Sequence, residues 1–173
     1  MIRLLNLILC SLMLLSCNTT ATAQSQEVPI EAAFAYLPIF TLPVMNGEPG
    51  QMYGSAHDKP MLIEFYFNSC PACNQNAPAV KEMSNLFNND RTHVVEFGYD
   101  CRQSDYDAWN RRHSPTAFLV NGCNSDVLDA LNVSAYPTTV IVDKDHNLVK
   151  RYVGTWNART KAEIKATMER LSQ

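Results

Sequence analysis

The chain carries no block of basic charge, no apolar run of membrane-spanning length, no internal repeat and no second pair of close cysteines. Each absence removes a class of function. With 14 basic and 17 acidic side chains in 173 residues, the net charge is −3. Without a basic stripe, that balance gives nucleic acid no footing as a partner. The longest apolar stretch, Leu4 to Leu15, falls short of the ~20 residues that a membrane helix needs. A zinc site would want a second close pair of ligands. Cys101 and Cys123 stand far apart, and no His-x-x-x-His occurs. His57, His93, His113 and His146 show no ligand spacing; all fall in expected loops or element ends and read as solvated.

What is present begins with a targeting segment. Met1-Ile2-Arg3 supplies positive charge and Leu4 to Leu15 an apolar core of signal-peptide length. Two processing sites compete. Leu14-Leu15-Ser16-Cys17 is similar to a bacterial lipoprotein box, which would leave Cys17 lipidated and the chain tethered to a membrane. Ala21-Thr22-Ala23, before Gln24, is an ordinary small-x-small cleavage site. The lipoprotein is the preferred reading. Either cut removes Cys10 and Arg3 and leaves 13 basic against 17 acidic side chains, a charge of −4. Cys70, Cys73, Cys101 and Cys123 remain, an even number that fits two disulfides in an exported protein.

Asn18 to Gln26 is small and polar. The chain therefore divides into a signal over 1–23, a flexible tether over 24–35 and one domain over 36–173, long enough for a proper core. Within the domain, apolar strands alternate with helical patterns, the signature of an α/β fold. Phe40-Thr41-Leu42 and Met52-Tyr53 flank a Pro/Gly-rich turn and predict a hairpin. Met61 to Phe67 is nearly all apolar and predicts a strand buried on both faces. Pro71 to Asn88 reads as a helix with Pro78 inside it. Val94 to Phe97, Ala117 to Val120, Thr138 to Val142 and Leu148 to Val153 read as strands. Asp105 to Arg112, Ser125 to Leu131 and Asn157 to Leu171 read as helices.

The tetrapeptide Cys70-Pro71-Ala72-Cys73 joins the strongest strand to the first helix. A sulfur at a helix N-terminus meets unpaired N–H groups and the positive end of the helix dipole, which favour a thiolate. The second sulfur lies one turn on, within reach of the first. The thiolate is the attacking species in thiol–disulfide exchange, so the spacing points to redox chemistry. Metal binding and an inert disulfide are the alternatives. Asn74 follows Cys73, which rules out the C-x-x-C-H haem attachment motif.

Three motifs carry a resemblance. They are Phe65-Tyr66-Phe67-Asn68-Ser69-Cys70-Pro71-Ala72-Cys73, then Cys73-Asn74-Gln75-Asn76-Ala77-Pro78, then Asn132 to Thr139 with Pro137. From about Phe40 to Leu171 the chain resembles thioredoxin-fold proteins of the TlpA/ResA-like type, exported thiol–disulfide oxidoreductases. The resemblance implies a thioredoxin-like fold: a central mixed sheet flanked by helices, with an N-terminal hairpin and a strand–helix insert. It also implies Cys70 as nucleophile, Cys73 as resolving thiol and a cis Pro137 beside Cys70, with Pro71, Ala72 and the Tyr136 backbone meeting the substrate.

Further implications follow from the same likeness. Glu64 matches a buried acid of thioredoxins and would take the Cys73 proton; the alternative is a side chain that snorkels out or pairs with lysine. Cys101 and Cys123 would leave neighbouring parallel strands at one end, close enough for a structural disulfide or a second redox pair. Tyr66, Phe67 and Tyr136 would border Cys70. Implied partners are cysteine-containing exported proteins and a membrane thiol reductase as electron donor; no cofactor is implied. Ser69 replaces the usual Trp, Pro71-Ala72 reverses the usual order, and Asn76 replaces a Glu. These departures bear on the direction of electron flow. A periplasmic reductase leads, a disulfide-donating oxidase or isomerase follows, and a Cu(I) metallochaperone is the non-enzymatic rival.

Overall fold

The computed structural model describes residues 24–173, so Cys10, Cys17 and both cleavage sites lie outside it. The strands are β1 (Gln26–Glu27), β2 (Thr41–Pro43), β3 (Met52–Gly54), β4 (Met61–Tyr66), β5 (His93–Gly98), β6 (Phe118–Asn121), β7 (Thr138–Val142) and β8 (Leu148–Val153). The helices are α1 (Pro71–Phe87), α2 (Gln103–His113), α3 (Val127–Ala130) and α4 (Ala158–Leu171). The main sheet runs β1-β8-β7-β4-β5-β6. β4 lies parallel to β5 and antiparallel to β7. This is the mixed thioredoxin-like sheet, with β2 and β3 as a separate hairpin.

β4 is buried along its whole length, and its alternation divides the core. Met61, Ile63 and Phe65 face one side, against Leu37, Phe40 and Tyr53 of the N-terminal segment and Leu128 of α3. Leu62 faces the other, against Val80 and Met83 of α1 and Ile164 and Met168 of α4. Glu64 shares the Leu62 face because strand side chains repeat every second residue. At the carboxyl end of β4 a third cluster gathers Tyr66, Cys70, Cys73, Ala77, Tyr106 and Trp109. Gly98 makes room there: a Cβ on it would lie 2.5 Å from the Tyr106 ring.

Two expectations need correction. The stretch read as tether is pinned over its first residues. Gln26 and Glu27 pair with Val153 and Tyr152, the Ser25 amide donates to the Thr155 carbonyl at 2.5 Å, and Ser25 is buried. The free edge of β8 offers backbone partners, and strand pairing uses the backbone whatever the side chains. The histidines are not all solvated either. His146 is buried, with Nδ1 3.1 Å from the Leu37 carbonyl. His57 Nε2 and His93 Nδ1 each lie 3.0 Å from Tyr53 Oη. The Lys59 amide donates to His57 Nδ1, and Lys59 Nζ stands at 3.4 Å from His93 Nε2. His57 Nε2 and His93 Nδ1 also lie 3.0 Å from each other, closing a triangle with Tyr53 Oη, which stands 3.4 Å from Met61 Sδ. Burial, more than the neighbouring charges, lowers His57 and takes His93 down to about 4.

Cys101 and Cys123 follow β5 and β6 and form a disulfide with Cα atoms 5.0 Å apart. β5 and β6 are parallel neighbours. The bond closes a loop of 22 residues, worth roughly 3 kcal/mol on the chain-entropy model. The double variant Cys101→Ser/Cys123→Ser is expected to lose about that much stability in urea melts. Unchanged stability would remove the structural role.

Candidate active site

Cys70 is the N-cap of α1 and Pro71 takes the first helical position, where an N–H would have no helical partner. The Cys73 amide donates to Cys70 Sγ at 3.0 Å. The sulfurs are bonded, with Cα atoms 5.2 Å apart, and both cysteines are buried. Pro71 is exposed and Ala72 half-buried, so the short link between the sulfurs faces outward.

Side chains from three elements hold the loop before α1. The Asn68 amide donates to Asp100 Oδ2 at 2.6 Å, and the Tyr99 amide to the Tyr66 carbonyl at 2.9 Å. Asn74 Nδ2 donates to the carbonyls of Cys70 at 2.7 Å and Asn68 at 3.1 Å. Asn74 Oδ1 accepts from Arg112 Nη1 at 2.7 Å and from His113 Nε2 at 2.9 Å. Asn74 thus fastens the sulfur-bearing turn to α2. The bond to Asp100 places the Cys101–Cys123 disulfide one residue from a group that grips this loop.

The Tyr136–Pro137 peptide is cis, and Pro137 is buried. Tyr136 packs against the cluster holding Cys70 and meets Phe67 edge-on at 5.3 Å and Tyr99 at 5.9 Å. These rings form an apolar rim. No hydrogen bond among the described residues uses the Tyr136 amide or carbonyl.

Glu64 is buried, 3 % exposed, and neither snorkels nor pairs with lysine. Its Oε1 accepts from Asn76 Nδ2 at 2.8 Å and its Oε2 from the Thr139 hydroxyl. Trp156 closes the network: its indole donates to Thr139 Oγ1 and its amide to Asn76 Oδ1, both at 2.8 Å. Burial pushes Glu64 up to about 8, against the pull of those two hydrogen bonds and with added push from Glu96. Asn76 sits one turn beyond Cys73 on the inner face of α1, so the carboxylate lies beneath the reacting turn.

Glu96 is a site residue not drawn from the sequence. It is 2 % exposed, pairs with Glu64 across β4 and β5, and accepts from Trp109 Nε1 at 2.6 Å. Burial pushes it up to about 7. The signal was an acid inside the apolar run Val94 to Phe97, the same signal that singles out Glu64. Among the described residues no three His, Cys, Asp or Glu side chains converge to hold a metal.

A family model described as Redoxin matches residues 33–168. The thioredoxin-like protein YneN of Bacillus subtilis is 26% identical over 159 residues, covering 88% of this chain and 87% of that one. Solved structures share the fold at low identity. A Chlorobium tepidum chain assigned as thiol:disulfide interchange protein DsbE superposes with TM-score 0.70 at 15% identity, over 82% of this chain and 98% of that one. A secreted Mycobacterium tuberculosis disulfide oxidoreductase gives TM-score 0.62 at 18% identity, over 76% and 96%.

The Glu64 geometry sets a pH dependence. Unfolded, the carboxyl titrates near its ordinary 4.5; folded, it holds its proton to about 8. Its contribution to stability is complete below the lower value and is lost as pH rises through the upper one. Glu64→Gln is therefore expected to be more stable than wild type at pH 8, by on the order of 2–4 kcal/mol, and nearly equal at pH 4.5. Denaturant melts at the two pH values check this.

Proposed function

The chain belongs to the Redoxin family and is a thioredoxin-like thiol–disulfide oxidoreductase; from that premise we propose that it is an exported reductase acting on cysteines of extracytoplasmic proteins. The observation that carries the reading is the pairing of a helix-capping sulfur with a proton-holding carboxylate beneath the same turn. In the reduced protein the Cys70 thiolate attacks a substrate disulfide, forming a mixed disulfide and releasing one substrate thiolate, which takes a proton from water. Cys73 gives its proton to Glu64, which accepts it in its ionised form, and the Cys73 thiolate attacks Cys70 Sγ. The Cys70–Cys73 bond forms, the mixed disulfide breaks, and the second substrate thiolate leaves. Two electrons have passed from the dithiol to the substrate. Each turnover leaves the enzyme oxidised, so a thiol donor must restore it; a membrane thiol reductase is the donor class this reading requires.

Charge supports the reductase direction. A stabilised thiolate makes a C-x-x-C pair oxidising, because it favours the reduced state. An ionised carboxylate under α1 opposes negative charge there, disfavours the reduced state and makes the pair a better reductant. The Pro71-Ala72 order supports the oxidase reading instead. A reduction potential near −270 mV fits the reductase and one near −120 mV the oxidase. Tyr136, with its free backbone beside the rim of Phe67 and Tyr99, is where an extended substrate strand would pair. The Cu(I) reading has two thiols, and no three His, Cys, Asp or Glu side chains gather around them among the described residues.

Cys70→Ser is expected to abolish reduction of an accessible protein disulfide, and Cys73→Ser to accumulate a mixed disulfide visible on non-reducing gels. Full activity in Cys70→Ser with loss in Cys73→Ser would reverse the two roles. Export and anchoring rest on residues 1–23. Cys17→Ala is expected to move the protein from the membrane fraction to the soluble one. A soluble wild type with Gln24 as its first residue would remove the lipid anchor.

A further inference from the structure

The mechanism uses one buried acid, yet the sheet holds two side by side. Glu64 and Glu96 are register partners in adjacent parallel strands. Their side chains therefore leave the sheet on the same face, from strands about 4.8 Å apart. Neither reaches solvent appreciably. Their surroundings are almost free of compensating charge. On β4, Tyr66 brings a buried hydroxyl with no hydrogen-bond partner among the described residues, its ring stacked on Trp109 at 4.1 Å. From β7, Thr139 faces Glu64; from β6, Leu119 is the register partner of Glu96. From α2 come the Trp109 indole and, packed on it at 4.3 Å, the titratable ring of His113. From α1 come the neutral Asn76 and one cation, Lys81, whose Nζ lies 3.4 Å from the His113 carbonyl. Two carboxylates so placed cannot both ionise cheaply, so the pair titrates as a unit. Glu96 has a direct N–H donor and the Lys81 charge on its side, so it ionises first. Its charge then holds the proton on Glu64.

We propose that Glu96 is a positioning residue for proton transfer: held by the Trp109 indole beside Glu64, its charge sets how firmly Glu64 keeps the proton it takes from Cys73. This rests on the dithiol reading above. In the step concerned the Cys73 S–H bond breaks, the proton passes to an ionised Glu64 oxygen, and the freed electron pair forms the bond to Cys70 as the Cys70–substrate disulfide breaks and the substrate thiolate leaves. Glu96 exchanges nothing with substrate. It makes the ionised Glu64 a stronger base and moves to higher pH the point at which Glu64 is free to accept.

Two variants remove the Glu96 charge by different routes. Glu96→Gln deletes it. Trp109→Phe withdraws the hydrogen bond that favours it, leaving Glu96 protonated to higher pH. Both are expected to move the acid limb of the pH profile for disulfide reduction to lower pH by about one unit. A purely structural role would lower the rate at every pH and leave the limb in place; that result in both variants overturns the proposal. A second readout needs no turnover. The chain has two tryptophans, so Trp156→Phe leaves Trp109 as the reporter; His113, whose ring packs on it at 4.3 Å, is replaced in the same protein by His113→Gln so that the signal reports on Glu96. The Trp109 fluorescence in the oxidised protein is expected to titrate in the neutral range, and Glu96→Gln is expected to abolish that titration. A flat signal from the Trp156→Phe/His113→Gln protein also overturns the proposal. If wild type shows no Cys70-dependent reduction, the dithiol reading fails, while the fluorescence titration still reports whether the two acids are coupled.

Discussion

A carboxylate in the innermost strand of a sheet must find its hydrogen bonds inside the protein, and the site is arranged around meeting that demand for Glu64. Its two oxygens are served from opposite sides, by Asn76 of α1 and Thr139 of β7. Trp156 then bonds to both of those partners. Three elements distant in sequence are thereby held in one register beneath the first turn of α1. An unserved buried carboxylate would cost several kcal/mol, so the network resists any shift of that turn relative to the sheet. The sulfurs inherit the rigidity. The reacting turn is fixed from below by an acid and its donors, and from above by Asn74 and Asp100.

The substitution at position 76 takes on meaning in this light. The TlpA/ResA-like pattern has Glu there, and this chain has Asn. Asn76 gives Glu64 an N–H donor at 2.8 Å, which an ionised carboxylate at 76 could not supply. With the amide, the helix supplies a donor and the strand supplies the acid. The charge is still in the site; it rises from the sheet floor rather than hanging from the helix. Glu96, one strand over, extends the same acidic floor toward α2.

Much of this was legible from the chain alone, and the boundary of legibility is physical. Buried strands announce themselves by uninterrupted apolarity, which is why Met61 to Tyr66 and Thr138 to Val142 stand within a residue of expectation. The sulfur pair and Glu64 are legible because polar groups inside such patterns need a reason. Glu96 obeys the same rule, but no neighbouring motif draws attention to it. Thr139 and Trp156 are invisible as partners of Glu64, since their roles arise from contacts across 75 and 17 residues. The pinned segment at Ser25 to Glu27 was hidden for another reason. Two-residue pairing to an edge strand is a backbone affair, and small polar side chains neither promote nor forbid it. The buried His146 turned inward because Leu37 passes overhead, a fact of tertiary stacking.

Both lateral margins of the main sheet are occupied. On one side β1 zips onto β8. On the other, Val44 bridges to Val120, the Met45 amide donates to the Leu119 carbonyl at 2.7 Å, and the Asn46 side chain bonds to Ala117 and Leu119. An open margin would recruit extended segments indiscriminately. Closing the margins while leaving the Tyr136 backbone unpaired turns a general stickiness into an address. In the reading proposed above, a client strand that pairs with Tyr136 comes to lie against the cluster that holds the sulfurs.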